Sequence, residues 1–197
     1  MSSQPKSYLT PEEYLEIERK ADFKSEYYNG EMFAMSGARL AHIQIVANAM
    51  RDLGQQLRRQ QCQPLASDMR VQVANTGLYT YPDIVVVCGE PKFRDDSFDT
   101  LLNPTVIVEV LSESTQLYDR EKKFELYRSI ESFQEYLMVS SLRVSAELFT
   151  RQAGGWLLTQ QTDLQASIDL ESIGCHLLLA DLYEKVAFPP SAPLLPR

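Results

Sequence analysis

Residues 103–112 read NPTVIVEVLS, a nearly continuous aliphatic run that contains a single carboxylate, Glu109. A second run of this kind, IVVV, follows Pro82 and Asp83. Strands that are aliphatic in every position are typical of a sheet that is covered on both faces. The two runs therefore predict an α/β domain in which a central mixed sheet lies between helices.

Local signals place helices and further strands around these two runs. Apolar residues three or four apart predict an amphipathic helix over 38–60, and a second helix is predicted from about Asp119 to about Ser132. With the β-rich pieces between and after them, the core order is helix, three strands, helix, strand (αβββαβ). The flanking predictions are a helix from Thr10 to about Lys20, a hairpin turning at Asn29-Gly30, strands over 143–151 and 155–161, and a short strand with a closing helix over 166–188.

Length and composition limit the class of protein. A chain of 197 residues fits one domain, predicted over 1–188, with a loose proline-rich tail over 189–197. No apolar run approaches the roughly 20 residues of a membrane span. The three cysteines are widely spaced without a CxxC pair, which argues against a disulfide framework and a structural zinc site, and predicts a reducing cytoplasm.

The net charge of −8 is unfavourable for a protein that binds nucleic acid through a basic surface. Binding of this kind would have to use a local basic patch or a bound metal. The basic cluster visible in the sequence is formed by Arg120, Lys122 and Arg128.

Glu109 is the first candidate functional residue. Side chains alternate along a strand, so Glu109 shares a face with Ile107 and Leu111. A buried carboxylate costs several kcal/mol unless it is paired, protonated or bound to a cation. A structural ion pair, or a sheet end that reopens to water, explains Glu109 equally well. Asp83, taken alone, is typical of a turn at the start of a strand. Two acids on neighbouring strands are together able to hold Mg²⁺ through oxygen ligands.

Lys123 is the third candidate. Helical periodicity places it near the middle of the apolar face formed by Phe124, Leu126 and Tyr127, so that it points at the sheet and at Glu109. The alternative is a long side chain that snorkels along a buried face.

The ordered segments of the chain resemble a known nuclease superfamily, PD-(D/E)XK, and more closely the putative restriction endonuclease family first catalogued as a domain of unknown function. The resemblance covers residues 7 to 188, and its segments are YLTPEEYLEI, YYNGEMFAMSGARLAHIQI, SDMRVQV, YPDIVVVC, IVEVLSESTQLYDREKKFELYRSI and EYLMV. It implies a restriction-endonuclease-like fold and metal-dependent hydrolysis of DNA. In that reaction, Asp83 and Glu109 would bind Mg²⁺ or Mn²⁺, and Lys123 would position water or stabilise charge.

The superfamily usually has a lysine two residues after the glutamate. In this chain that position is occupied by Leu111, so the chain departs from the pattern there. The resemblance implies that the lysine has moved to the following helix, in the segment from Asp119 to Lys123. Superfamily members often recruit a further acid, for which the candidates are Glu26, Glu31 and Asp68. His42 matches a histidine of the family pattern and is a possible auxiliary residue. Asp68 is expected at the start of a strand beside the strand that follows Asp83, and a cap or turn role is its alternative. For His42, the alternative is a position on the helix surface or at the core edge.

Three functional hypotheses follow. The first is a metal-dependent DNA endonuclease, with DNA as partner, no membrane, and a homodimer as the expected assembly. The second is a nuclease fold that has lost catalysis and serves as a binding or assembly module, which the low pI and the apolar hairpin face around Met32 and Met35 favour. The third is a phosphohydrolase for a small nucleotide, although the sequence lacks a GxxxxGK[ST] loop.

Overall fold

The computed structural model describes residues 8–113 and 115–188, so the predicted tail over 189–197 lies outside it. The helices are α1 (Pro11–Glu18), α2 (Leu40–Leu57), α3 (Gln116–Tyr118), a π-helical turn (Asp119–Lys123), α4 (Phe124–Tyr127), a 3₁₀ turn (Glu171–Ile173) and α5 (Leu179–Leu182). Within the described residues, none of the helices is long and apolar enough to cross a membrane. The cytoplasmic location and the single domain over 1–188 stay predictions.

Thirteen strands accompany these helices in the described residues. They are β1 (Ser25–Tyr28), β2 (Glu31–Ala34), β3 (Cys62–Ala66), β4 (Arg70–Val73), β5 (Leu78–Thr80), β6 (Ile84–Cys88), β7 (Thr100–Leu101), β8 (Val106–Leu111), β9 (Glu135–Ser140), β10 (Ala146–Gln152), β11 (Gly155–Gln161), β12 (Ser167–Leu170) and β13 (Cys175–Leu178). The capped helix α1 and the hairpin β1–β2 at Asn29-Gly30 form as the sequence predicts.

The larger sheet has six strands in the order β11-β10-β9-β8-β6-β3. Strands β8 and β9 are parallel, while their other neighbours are antiparallel. With α2 and the helical segment 116–127, the strands β3, β6, β8 and β9 form the αβββαβ core. The predicted mixed sheet is therefore confirmed.

The larger sheet is covered on both faces, as its aliphatic strands require. Val106, Val108 and Val110 of β8 pack in a core that includes Leu53 of α2. Ile107 and Leu111 of β8 pack in a second core with Phe124 and Tyr127 of α4. The alternation predicted for the two faces of β8 is thus present, and Glu109 lies on the face of the helical segment 116–127.

A second sheet holds strands that the sequence did not place correctly. Its order is β2-β1-β5-β4-β7. Strand β4 was expected beside the strand that follows Asp83, but it pairs with β5 and β7 instead. Asp68 lies in the turn between β3 and β4, where the chain leaves the larger sheet. The expectation that Asp68 begins a strand next to β6 is therefore wrong.

Two predicted boundaries are also wrong. The second helical segment runs over 116–127, rather than from Asp119 to Ser132, and it includes the π-helical turn. The C-terminal region folds as a hairpin of β12 and β13 with a one-turn helix, α5. Gly174 explains the hairpin, since its positive φ of 62° lets the chain reverse after the 3₁₀ turn.

The cysteines give a third correction. Cys62 and Cys88 form a disulfide, although the sequence argued against one. They are separated by 26 positions in the chain, but β3 and β6 are antiparallel and place the two residues directly opposite each other. Cys175 is free and buried.

The packing of α2 leads to a first prediction. Leu53 is fully buried between α2 and the larger sheet. Leu53→Ala should lower the free energy of unfolding by about 3 kcal/mol, because it removes apolar contacts and leaves a cavity. Urea-induced unfolding followed by circular dichroism measures the change.

Ile43→Ala is the matched control, because Ile43 lies on the same helix and is 53% exposed. Its loss should stay within about 0.5 kcal/mol. Equal losses in the two variants would contradict the packing of α2 through Leu53.

Candidate functional site

Two carboxylates meet where β6 begins and β8 approaches its end. Asp83 immediately precedes β6, and the pairing of Ile84 with Val108 brings Asp83 alongside Glu109. The backbone N–H of Val110 donates to Asp83 Oδ2 at 2.7 Å. The N–H of Asp83 faces Glu109 Oε2 at 3.4 Å. Backbone geometry thus holds the two acids side by side.

The helical segment 116–127 adds Lys123 to these acids. The lysine Nζ lies 3.1 Å from Glu109 Oε1 and 3.3 Å from Asp119 Oδ1. Asp119 and Lys123 bound the π-helical turn, a distortion of the helix that is frequent at functional sites. Only 8% of the Lys123 side chain is exposed, so its charge must be satisfied by these neighbours.

The second sheet contributes a further acid. Glu26, on β1, places Oε1 at 3.0 Å from Lys123 Nζ and accepts a hydrogen bond from the hydroxyl of Thr80, on β5. The Tyr127 hydroxyl donates to Glu109 Oε1 at 3.2 Å. The site is therefore built from both sheets and the helical segment between them.

His42 reaches the site from the first turn of α2. Its Nε2 lies 2.9 Å from Asp83 Oδ1. Burial lowers the pKa of His42, but the hydrogen bond and the negative charge of Asp83 outweigh it and raise the pKa above its usual value. The contact fixes the Asp83 carboxylate from the side opposite to Val110.

Negative charge is in excess at the site. Four carboxylates, those of Asp83, Glu109, Glu26 and Asp119, are balanced by Lys123 and, when it is protonated, by His42. Burial raises the pKa of Glu109 well above its usual range, and the Lys123 charge only partly opposes this because three carboxylates share it. Burial raises the pKa of Asp119 as well.

The donors of the site fit a hard divalent cation in kind and in charge. Mg²⁺ prefers carboxylate oxygen, is commonly held by one or two carboxylates, and completes its shell with water and substrate phosphate. Asp83 and Glu109 are such a pair. In the described part of the chain, no group of three or more His, Cys, Asp or Glu residues is arranged to hold a metal. A cation would therefore be held by these two acids, and water and substrate phosphate would supply its other ligands.

Three further residues singled out in the sequence occupy different positions. Asp68 has an 88% exposed side chain and pairs with Lys24, so it does not join the carboxylate cluster. Glu31 begins β2, opposite Tyr28 in the hairpin register. Met32 packs on the buried tyrosines of the second sheet, which removes half of the apolar hairpin face.

Two of the three members of the basic cluster are paired with carboxylates. Arg120 pairs with Glu147 at 2.8 Å, and Lys122 pairs with Glu125 at 3.3 Å. Arg128 lies over the ring of Phe124. Arg120 and Lys122 therefore offer little free positive charge to a phosphate backbone, whereas the contact with a ring leaves the charge of Arg128 in place.

Sequence reasoning missed two hydroxyl groups of the site. Tyr127 was assigned to the apolar helix face, and its proximity to Lys123 was the available signal. Thr80 carries no local signal, because its position depends on the pairing of β5 with β1.

The raised pKa of Glu109 leads to a prediction for the metal-free protein. A carboxyl group whose pKa is higher in the folded state contributes stability below its ordinary pKa of 4.5, and that contribution is lost as pH rises through the folded-state pKa. Glu109→Gln should therefore be more stable than wild type at neutral pH, because the variant does not have to bury a charge at this position. Urea unfolding in chelator at a series of pH values from mildly acidic to mildly basic measures the difference, which should grow with pH.

Glu125→Gln is the control for this comparison, since the Glu125 side chain is 68% exposed. Its free energy of unfolding should stay within about 0.5 kcal/mol of the wild-type value, as for other exposed substitutions. A Glu109→Gln variant that loses stability as pH rises, relative to wild type, would contradict the electrostatic account.

Comparison with known proteins places the chain in a family. A family model described as "Putative restriction endonuclease", Uma2, matches residues 11–180. Two proteins of Synechocystis sp. described as uncharacterized are similar over most of their length. One is 37% identical over 162 residues, which cover 82% of this chain and 92% of the relative. The other is 36% identical over 189 residues, which cover 94% and 97%.

A solved structure shares the fold. The crystal structure of a putative nuclease belonging to DUF820, from Anabaena variabilis, superposes with a TM-score of 0.74 over 89% of this chain and 97% of that one, at 16% identity. This likeness agrees with the αβββαβ core and the flanking helices. The chain belongs to the Uma2 family of restriction-endonuclease-like proteins.

Proposed function

We propose that this protein is a metal-dependent endonuclease that hydrolyses phosphodiester bonds of DNA. The observation that carries the proposal is the pair formed by Asp83 and Glu109 on neighbouring strands, with the buried Lys123 at 3.1 Å from Glu109. The family description as a restriction endonuclease supports the same reaction class. The site also has more carboxylates than positively charged side chains, and this excess of negative charge favours the binding of a divalent cation.

Asp83 and Glu109 would hold Mg²⁺ or Mn²⁺. Such a cation, when bound, polarises a phosphate and lowers the pKa of a coordinated water. The chain's own groups prepare these ligands. His42 and the N–H of Val110 orient Asp83, while Tyr127 orients Glu109.

Lys123 is proposed to stabilise negative charge on the scissile phosphate. An ammonium group has three N–H donors, and Glu26, Glu109 and Asp119 surround it at 3.0 to 3.3 Å. If Glu109 turns toward a cation, one N–H of Lys123 becomes available to a phosphate oxygen. Glu26 and Asp119 would then keep the ammonium in place.

The acidic surface has a consequence for DNA binding. With a net charge of −8, and with Arg120 and Lys122 already paired, DNA would bind weakly until a cation lowers the charge of the site. Affinity for DNA should therefore depend on the divalent cation more than on a basic surface. A homodimer is part of this proposal, because duplex cleavage uses two sites.

A non-catalytic binding module is the second candidate function. It is favoured by the engagement of both Asp83 oxygens, with His42 and with the N–H of Val110. Calorimetric titration with Mg²⁺ and Mn²⁺ separates the candidates. Absence of binding in the millimolar range would favour the module, and binding that Asp83→Asn and Glu109→Gln abolish would favour the nuclease.

Substitution of the two acids tests cleavage. Purified wild-type protein in Mg²⁺ or Mn²⁺ should cut or nick DNA. Asp83→Asn and Glu109→Gln should each lower the rate on the order of 100-fold or more, because both remove a ligand charge. The rate is measured on a labelled DNA fragment.

Asp68→Asn is the matched control, since Asp68 is an exposed carboxylate that pairs with Lys24 away from the site. It should cleave as the wild type does. The proposed site would be wrong if wild type and all three variants cleaved DNA equally.

Neighbouring lysines test the role of charge. Lys123→Met should lower cleavage about 100-fold, because it removes the cation that faces the phosphate. Lys122→Met should stay within about 2-fold, because the Lys122 side chain is 43% exposed and pairs with Glu125. Circular dichroism and metal calorimetry on both variants separate loss of charge from loss of fold or ligand. Equal rates for the two variants would remove Lys123 from the mechanism.

A further inference from the structure

The larger sheet has one edge that is unlike the other edges of the two large sheets. Strand β11, at this edge, has seven residues, GWLLTQQ, with no charge and no proline. The opposite edge, β3, contains Pro64, which cannot donate to a further strand. In the second sheet, β2 begins with Glu31, and β7 has two residues.

Short strands, charges and prolines are the usual devices that prevent a sheet edge from pairing with another chain. In the described residues, β3, β2 and β7 each use one of them. Strand β11 uses none, and its outward N–H and C=O groups are open to a further strand.

Both faces of the sheet are exposed in the middle of this strand, whereas Trp156 near its start packs on Phe124 and Phe133. Leu157 and Leu158 point to opposite faces, because side chains alternate along a strand. They are 54% and 50% exposed. A helix or loop laid on one face would cover one of these leucines only. A strand added to the edge would extend both faces and cover both.

The net charge of the chain and the absence of charge on β11 indicate which strand is added at this edge. With a net charge of −8, two copies repel each other over most of their surfaces. The uncharged strip of β11 is a place where two copies meet without like charges in contact. A basic partner would find no carboxylate on this strand to bind. A second β11 offers the uncharged, centrally apolar strand that the edge requires.

We propose that β11 pairs with β11 of a second copy, in an antiparallel and two-fold symmetric manner, to form a continuous twelve-stranded sheet. Centred on Leu158, this register pairs all seven residues, with Leu158 opposite itself and Leu157 opposite Thr159. Two-fold contacts of this kind are self-complementary by symmetry. The pairing specifies the homodimer that the proposed function leaves without an interface, and its test does not require cleavage activity.

Sedimentation velocity of the full chain tests the dimer. The wild type should sediment, from micromolar concentration upward, as a species of twice the chain mass of 22.5 kDa. Leu158→Lys places two lysines opposite each other at the symmetry axis and should raise the dissociation constant about 100-fold. Leu117→Lys is the control, because Leu117 is a 71% exposed leucine of α3, and it should leave the dimer unchanged.

A pair of cysteine variants tests the same interface without introducing a charge, so that a misfolded Leu158→Lys variant is not mistaken for a broken dimer. A short bifunctional thiol reagent should join two copies of Leu158→Cys, whose residue 158 lies on the symmetry axis, and should leave Leu117→Cys as single chains. The proposal fails if the wild type is a monomer at all concentrations, if Leu158→Lys dimerises like the wild type, or if the two cysteine variants react equally.

Discussion

The site depends on the buried ammonium group of Lys123, which three carboxylates from three different parts of the chain share. Glu109 comes from the larger sheet, Glu26 from the second sheet, and Asp119 from the helical segment that carries the lysine. A desolvated ammonium is costly unless several acceptors surround it. The lysine therefore ties the two sheets together, and neither sheet alone can complete the site.

Local patterns were sufficient for the part of the site that lies on β8 and the following helix. The alternation along β8 placed Glu109 on the correct face because both faces of that strand are buried, so that a charge stands out against aliphatic neighbours. Helical periodicity then aimed Lys123 at the same space. These two inferences needed no knowledge of how distant segments pair.

Distant pairing is what the sequence could not supply. The turn at Asn29-Gly30 predicts a hairpin, but the position of Glu26 depends on the single pairing of Tyr27 with Tyr79, packed with Tyr14. Tyrosines 52 or more positions apart carry no periodic signal for each other. For the same reason, the Cys62–Cys88 disulfide and the departure of β4 into the second sheet became visible only in three dimensions.

The proposed dimer and the proposed site constrain each other through sheet geometry. Strand β8, which carries Glu109, is the fourth strand from the β11 edge. Across a β11 pair, the two copies of β8 would be separated by seven strand spacings, about 34 Å. Two sites so far apart cannot act on phosphates that face each other in one base pair. Because neighbouring strands of a sheet are also twisted relative to each other, the two sites would face different directions. A dimer joined at β11 would therefore make independent nicks, and its assembly would be separable from its chemistry.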